Sequence, residues 1–439
     1  MDWSGRQCLV VGLGLTGWSV VRFLVAQGAQ VRVCDSRGEP PYALALAEQY
    51  PEVPLHSGDL DAVSLDGVDE LVVSPGLDLN LPLFARARQR GLPLIGDIEI
   101  FARQNTRPVV AVTGSNGKST VVTLLGEMAE RAGLQVLVGG NIGTPALDLL
   151  EQRADLIVLE LSSFQLDLTH SLQCVAACVL NLSADHMDRH GSLQAYGAAK
   201  ARIFAHAAHA IVNKDDPDAA ALVPDELPSS DFSVLQAADF DLRDTHLCVG
   251  GQPWLPAAQL KLVGRHNQAN VLAAFALGMA AGLPRDAMTA AAAAFAGLPH
   301  RCQWVVERNG VRWINDSKGT NVGATLAALD GIEPKVVLLA GGQAKGGDFK
   351  PWRAPLKDKG RAVLLFGQDA AQIARDLDDL GAHIVMRDVG ELAQAVAEAD
   401  SLAQPGDSVL LSPGCASFDQ FSGYAERGEC FAALARGLA

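Results

Sequence analysis

The sequence predicts an α/β protein of three domains, each built on its own open, mostly parallel sheet. Three observations predict this. Short apolar strands alternate with stretches of helical periodicity along nearly the whole chain. Glycine-bearing turns follow strands in three separate regions, near Gly12, Gly114 and Gly341. The chain has 439 residues, enough for two to four domains of ordinary size.

Residues 1–97 read as a Rossmann-like domain. Strand Cys8–Val11 leads into Gly12, Gly14 and Gly17 and then a helix, and a second strand, Val31–Cys34, ends at Asp35. This is GxGxxG in its proper context, with an acid closing the second strand. The glycines report only that a phosphate or a helix approaches the backbone. A uridine or adenine diphosphate satisfies them as well as NAD does. Strand Glu70–Val73 then runs into Ser74-Pro75-Gly76, and Leu92–Ile95 runs into Gly96-Asp97.

Residues 98–298 carry the central nucleotide-binding sheet. The stretch from Val109, VVAVTGSNGKST, is strand, glycine loop and helix start. Such a loop aims backbone N–H groups at a phosphate, and the helix amino end adds partial positive charge. Lys118 can reach the outer phosphates, and Ser119 or Thr120 can ligate Mg²⁺. The match to the Walker pattern is incomplete, because Val112 stands where that pattern has its first glycine. Further strands are expected at Val136–Val138, Leu156–Leu161, Val175–Asn181 and Ala210–Asn213. Residues Ser229–Val263 break the rhythm with short alternating runs and Gly250-Gly251, and read as a small antiparallel flap. The Ala-rich stretch Val271–Phe295 is interrupted by Gly282 and Pro284 and reads as two helices, not a membrane span.

Residues 299–439 form a second Rossmann-like domain. Strands are expected at Cys302–Glu307, Val311–Asn315, Val336–Ala340, Ala362–Phe366, His383–Met386 and Ser408–Ser412. Three turns that follow strands, Asp316–Asn321, Gly341–Gly347 and Ser412–Ser417, should face a ligand, since open sheets bind at the carboxyl ends of their strands.

Composition narrows the function. A formal net charge of −15 argues against nucleic-acid binding and against docking on an anionic membrane. An anionic ligand must then be held by glycine loops, helix ends and individual Arg or Lys residues. The eight cysteines are scattered, with no CxxC pair, and fit a reduced cytoplasmic setting. The amino terminus enters a strand almost at once and reads as no signal peptide.

Glu160 closes the apolar run LIVLE, where an acid can hold Mg²⁺ beside the loop hydroxyl; a carboxylate capping the next helix is the plainer reading. The run NLSADHMDRH from Asn181 is the densest polar cluster. His186 and His190, four apart, are a weak zinc pattern without a Cys or third His nearby, and Mg²⁺ suits the phosphate loop better. Lys200 on the following helix would by itself read as a surface lysine. No Gly-x-Ser-x-Gly elbow marks a hydrolase. An NAD-dependent oxidoreductase, read from the Gly12 loop alone, leaves the Gly114 loop unexplained. A non-catalytic nucleotide switch would bind ATP without releasing phosphate.

The chain resembles the Mur ligases, which add amino acids to the peptide stem of peptidoglycan precursors. The carrying residues are the loop Thr113–Thr120, Glu160, Asp185-His186-Met187-Asp188, Lys200, His266-Asn267, His300-Arg301 and Asn315-Asp316-Ser317-Lys318, in the family's order. The family's shortened TGxxGK[ST]T loop accounts for Val112. The related folylpolyglutamate synthases share the loop but lack the opening domain. GLGLTGWS with Asp35-Ser36-Arg37, WINDSKGTNVGATLAAL and SPGCASFDQFSGYAERG are nearest to the family's D-glutamate-adding branch. Tyr424 departs from the phenylalanine expected there but retains the ring.

The resemblance implies specific roles. Gly114, Ser115, Asn116, Gly117, Lys118, Ser119 and Thr120 would hold the ATP phosphates, and Asn267, Asn270, Arg301 and Asp316 its adenine and ribose. Lys118, Glu160, His186 and Lys200 would be the catalytic set. Two Mg²⁺ ions would be held by Ser119, Glu160, His186 and Lys200, the last carbamylated by CO₂. Leu15, Thr16, Asp35, Ser36, Arg37, Ser74, Pro75 and Gly76 would bind the uridine nucleotide of UDP-N-acetylmuramoyl-L-alanine, with Asn141 beside its muramoyl part. Thr320, Lys345, Ser417 and Phe418 would grip D-glutamate. The expected enzyme is a cytoplasmic monomer, with other amino-acid-adding Mur ligases or a folylpolyglutamate-synthase-like ligase as alternatives.

Overall fold

Continuous runs of Val, Ile, Leu and Ala between turns are what strands buried on both faces require, and they assemble into three sheets. The computed structural model describes residues 2–262, 264–332 and 335–438. The first sheet has the strand order Leu55–Ser57, Gln30–Asp35, Gln7–Val11, Glu70–Val73, Leu94–Ile95, all parallel. Leu55–Ser57 is an edge strand without an apolar run, and it escapes detection in the sequence for that reason. The turn after Gln7–Val11 needs its glycines: Gly12 has φ +97°, and a Cβ on Gly17 would sit 1.8 Å from the Gly12 carbonyl oxygen. Helix Leu15–Ala26 therefore starts hard against the strand end.

The central sheet has nine strands, in the order Gln252–Pro256, His246–Val249, Phe240–Arg243, Ser229–Ser233, Ala210–Asn213, Ala176–Val179, Val109–Thr113, Leu156–Glu160, Val136–Gly140. The antiparallel part is the pairing of the last three strands in sequence. It is continuous with the main sheet, because Ser229–Ser233 and Phe240–Arg243 join it in parallel. Val263, at the end of the stretch read as a flap, lies outside the described residues. The Ala-rich region is two helices, Arg265–Ala280 and Arg285–Ala294, broken at Gly282 (φ +81°) and Pro284. Both pack against helix Lys118–Arg131, which follows the phosphate loop. Among the described residues, no helix is long and apolar enough to cross a membrane.

The third sheet runs Gln303–Arg308, Val311–Asn315, Ser408–Leu411, Val336–Gly341, Gly360–Phe366, Val385–Gly390, parallel except for its first pair. Its last strand begins at Val385, two residues later than expected, because His383 and Ile384 still belong to the turn after a short 3₁₀ segment, Asp378–Ala382.

Alternate residues of each strand enter different cores. Val110, Val112 and Val158 face helices Lys118–Arg131 and Arg265–Ala280, while Val109, Ala111 and Ile157 face the other way. That second face is shared: it forms one apolar cluster with Val10 and Val72 of the first sheet and Leu24 of helix Leu15–Ala26. The third sheet has its own two cores, split between Val336/Leu338 and Val337/Leu339.

At the crossing from first to central sheet, Asp97 is fully buried. Its Oδ2 accepts from Gln165 Nε2 at 3.3 Å and its Oδ1 has no partner. Burial pushes its carboxyl up to about 6. A carboxyl raised above its unfolded value destabilises the fold as pH rises through the window from about 4 to about 6, since the native state then holds the proton more tightly. Asp97→Asn should therefore raise the unfolding free energy by about 1–3 kcal/mol above pH 6. Denaturation below about pH 4 should show no gain, and an equal gain at both pH values would refute the assignment.

Candidate active site

The phosphate loop is shaped by two residues at positive φ, Gly114 (+148°) and Gly117 (+83°). A side chain at either would collide, at Gly117 with Asn270 Oδ1 at 2.4 Å and at Gly114 with Leu180 at 3.1 Å. Asn181, at the end of the neighbouring strand, fastens the loop. Its Oδ1 accepts from Asn116 N at 2.8 Å, and its Nδ2 donates to Asn116 O at 3.1 Å. Ser115 Oγ accepts from Ser183 N at 2.9 Å. The loop is thus rigid before any phosphate arrives.

Two lysines meet under it. Lys118 Nζ donates to Gly114 O at 2.7 Å and Ser115 O at 2.9 Å. Lys200 Nζ donates to the same Gly114 O at 2.9 Å and lies 4.3 Å above the Tyr196 ring. Lys200 is only 1% exposed, so the surface reading of this lysine is wrong. Burial, reinforced by Lys118, drives the Lys200 amine well below the usual lysine range. Burial also lowers Lys118, partly offset by Glu160.

Glu160 closes the adjacent strand, 3% exposed. Its Oε1 accepts from Asn141 Nδ2 at 2.7 Å, while Oε2 is buried with no hydrogen-bond partner. An orphaned carboxylate oxygen beside a phosphate loop fits a divalent cation shared with phosphate oxygens. It caps nothing: the helix after it is capped by Ser162, whose Oγ accepts from Gln165 N. Among the described residues, no group of three or more His, Cys, Asp or Glu converges as a ready-made metal cage. His186 is set at the amino end of a short helix with φ +56°, its ring edge-on to Phe164 at 4.9 Å and its Nε2 3.8 Å from Asp185 Oδ2. His190 lies flat against Phe164 at 5.3 Å and contacts Ser163 Oγ at 3.0 Å.

The third sheet's first residues reach across. Arg301 Nη2 donates to Ser119 Oγ at 2.7 Å. Arg301 sits between His300 (φ +63°) and Cys302 (φ +46°), two non-glycine residues in the left-handed region that cost about 1 kcal/mol or more each. Between the central and third sheets lies a cleft of about 510 Å³, lined by Gly117, Asn267, Asn270, Arg301 and Asp316 among others. That size suits a nucleotide. Asn270 Nδ2 donates to Asn267 Oδ1 at 3.2 Å. Asp316 accepts from Cys302 N and Ser412 Oγ, and burial raises its carboxyl to about 6. Thr120 also lines the cleft.

At the first sheet, Asp35 is fully engaged. It accepts from Leu13 N at 2.7 Å and from Arg37 N, Nε and Nη2. Burial works to raise it, but Arg37 and the backbone amides outweigh that and hold it at about 2. Asp35 thus shapes the glycine turn and orients Arg37. Ser74 Oγ ties the next turn to Gly12 O at 3.0 Å. Leu15 and Ser36 are exposed, Thr16 and Pro75 half-buried, and Gly76 exposed, all at the carboxyl end of the sheet. Asn141 lies apart from them, against Glu160.

The four residues expected to grip D-glutamate sit on adjoining turns of the third sheet. Gly414 N donates to Gly319 O at 2.8 Å, and Gln343 and Ala416 exchange both backbone bonds at 2.9 Å. Ser417 is buried and Thr320 half-buried. Lys345 (φ +49°) and Phe418 are exposed. Sequence reasoning missed what fastens these turns. Arg427, fully buried, donates to Ser317 O at 2.8 Å, Ser317 Oγ at 3.0 Å and Cys415 O at 3.1 Å, and reaches Gly341 O at 3.5 Å. Burial lowers it to about 10. Lys318 Nζ stands 3.7 Å above the Tyr424 ring, so the retained ring at 424 has a partner.

A hydrogen-bonded phosphate loop, an unsatisfied acid on the adjacent strand and a nucleotide-sized cleft against the third sheet define a nucleotide-binding enzyme site. The chain belongs to the Mur ligase family. Three family models match it: the Mur ligase MurD-like N-terminal domain at residues 6–96, the Mur ligase middle domain at 112–278 and the Mur ligase glutamate ligase domain at 300–415. A UDP-N-acetylmuramoylalanine--D-glutamate ligase of Nitrosococcus oceani is 50% identical over 432 residues, covering 96% of this chain and 95% of the relative. One from Marinobacter nauticus is 50% identical over 444 residues, covering 99% of each. The fold is similar to that of MurF from Acinetobacter baumannii (TM-score 0.62, 18% identity, 99% of this chain and 91% of that one). It is also similar to Escherichia coli FolC with ADP (TM-score 0.59, 22% identity, 82% and 100%).

Proposed function

We propose that this ligase uses ATP to join D-glutamate to the alanyl carboxylate of UDP-N-acetylmuramoyl-L-alanine, in the cytoplasm and as a monomer. Relatives named for that reaction, half identical over nearly the entire length of both chains, carry the reading. The three domains of the reading are residues 1–97 for the uridine-linked substrate, 98–298 for ATP and 299–439 for the amino acid.

An amide cannot form between a carboxylate and an ammonium without activation. The alanyl carboxylate attacks the γ-phosphorus of ATP and displaces ADP, giving an acyl phosphate; the neutral amine of D-glutamate then attacks the acyl carbon, loses a proton to solvent and expels phosphate. Lys118 leaves its two carbonyl partners to meet the outer phosphates. Its buried ammonium is worth more there than in water. Glu160 Oε2, Ser119 Oγ, His186 and a carbamylated Lys200 are the groups that would hold two Mg²⁺ ions, which when bound would offset the charge gathered on the phosphates. In the neutral form that burial favours, the Lys200 amine would attack the carbon of CO₂, lose one N–H proton to water and become an N-carboxylate. Its repulsion with Lys118 turns into attraction.

Arg301 would trade Ser119 for a phosphate or ribose oxygen. Asp316, Asn267 and Asn270 face the cleft where adenosine fits. Lys345, Thr320 and Ser417 offer donors to the two carboxylates of glutamate, and Phe418 would cover it. On the first sheet, Leu15, Thr16, Ser36, Arg37 and the Ser74–Gly76 turn would bind uridine diphosphate.

The deciding assay is phosphate release from ATP with the uridine-linked substrate, adding D- and L-amino acids one at a time. Release with D-glutamate alone is the expected outcome, and release with a different amino acid would overturn the assignment. Lys345→Ala should raise the KM for D-glutamate by about 10-fold or more while leaving ATP binding intact, as expected for loss of one charged donor. Weakened ATP binding with an unchanged glutamate KM would remove the third domain from amino-acid binding.

A further inference from the structure

Asn321 lies between the two sheets that must close on each other. It caps helix Val322–Gly331, its Oδ1 accepting from Ala324 N at 2.8 Å. The other end of the same amide leaves the third sheet altogether. Its Nδ2 lies 3.2 Å from Asp185 Oδ2 and 3.4 Å from Asn116 Oδ1. Asn116 belongs to the phosphate loop, and Asp185 immediately precedes His186. Two residues on, Gly323 is seated so closely that a Cβ there would lie 3.0 Å from Ser183 Oγ and 3.6 Å from Asn116 Nδ2. Ser183 Oγ is itself buried with no hydrogen-bond partner.

We propose that Asn321 and Gly323 are the latch that holds the third domain closed over the phosphate loop, with Asn321 as a positioning residue that registers the helix end against Asp185 and Asn116. The inference rests on the ligase reading above. The chemistry is specific. The amide accepts from the helix end through its oxygen and donates to a carboxylate through its separate nitrogen, so one side chain spans both elements. Aspartate would cap the helix equally well but would set carboxylate against carboxylate at Asp185. Glycine at 323 lets the helix end touch the loop without a side chain between them.

The test uses the full chain with Asn321→Asp and Gly323→Val, followed in three ways: thermal midpoint, small-angle scattering with a non-hydrolysable ATP analogue and Mg²⁺, and steady-state phosphate release. Asn321→Asp should keep its midpoint, fail to compact with the analogue and lose turnover by about 30-fold or more, with the KM of the uridine-linked substrate within about twofold. Adding Asp185→Asn to Asn321→Asp reverses donor and acceptor and should restore compaction. Gly323→Val should block compaction in the same way, and it carries the test should Asn321→Asp not fold. Normal compaction in both variants would overturn the latch, whatever their turnover. Absence of D-glutamate-dependent phosphate release in the unaltered chain would defeat the ligase reading instead, and scattering would still decide on the latch.

Discussion

Lys200→Ala should lower ligation by about a thousandfold or more, the scale on which removing a preorganised charge from an active site acts. The argument is geometric. Lys200 Nζ is almost completely buried and shares the Gly114 carbonyl with Lys118. Two buried ammonium groups on one acceptor repel each other, and burial drives Lys200 toward its neutral form. An enclosed amine with a lowered pKa, held against Lys118, is poorly explained as scaffolding. The proposed carbamate would supply the negative charge that the pair lacks. Alanine cannot be carbamylated, so added bicarbonate should not restore turnover. Full activity of the variant in the phosphate-release assay would dismiss the carbamate. A labelled-CO₂ adduct seen by carbon NMR in the unaltered protein, and missing in the variant, would support it directly.

Arg427→Met should be strongly destabilising. The guanidinium satisfies acceptors on three turns, those of Ser317, Gly341 and Cys415. Methionine fills similar space but donates nothing. Each buried acceptor left unsatisfied costs about 1–3 kcal/mol, less the cost of having buried the cation. A net loss of about 3–5 kcal/mol in chemical denaturation is expected. The surviving folded enzyme should show a raised KM for D-glutamate, because Thr320 and Ser417 lie on the freed turns. Arg427→Lys should recover only part of this, since a single ammonium cannot span three turns. A stability loss under about 1 kcal/mol would show that the turns hold without the clip.

Much of this architecture was legible in the chain. The glycine turns at Gly12 and Gly114 and the apolar runs announce themselves, because strands buried on both faces admit little else. Glu160 was readable because its position at a strand end is fixed by the run before it. The edge strand Leu55–Ser57 was not, since an edge needs no apolar run, and the start of Val385–Gly390 was blurred by a turn of similar composition. Lys200 could not be recognised as buried from its own neighbourhood: residues distant in sequence enclose it. The same holds for Arg427 and Asn321, whose partners lie in other turns or on another sheet. Long-range hydrogen bonding leaves no periodic trace. Asp35, conversely, was legible as the acid closing the second strand, but only the structure shows that Leu13 and Arg37 occupy it.

The first and central sheets share one apolar cluster, whereas the third keeps separate cores and meets the central domain through polar side chains, a close glycine pair, Gly264 against Gly331, and His266, which shares a small cavity with Ile314, Ala328 and Ile332. This asymmetry governs how the enzyme can be rebuilt. A substitution at the first boundary changes an interlocked interior and demands compensating volume on the other side. The second boundary asks that a few hydrogen-bonding groups, two close glycine approaches and the surroundings of His266 be kept in register. With residues 299–439 taking the amino acid as proposed, chimaeras joined near residue 299 are the natural route to ligases that attach a different amino acid to the same nucleotide-linked precursor.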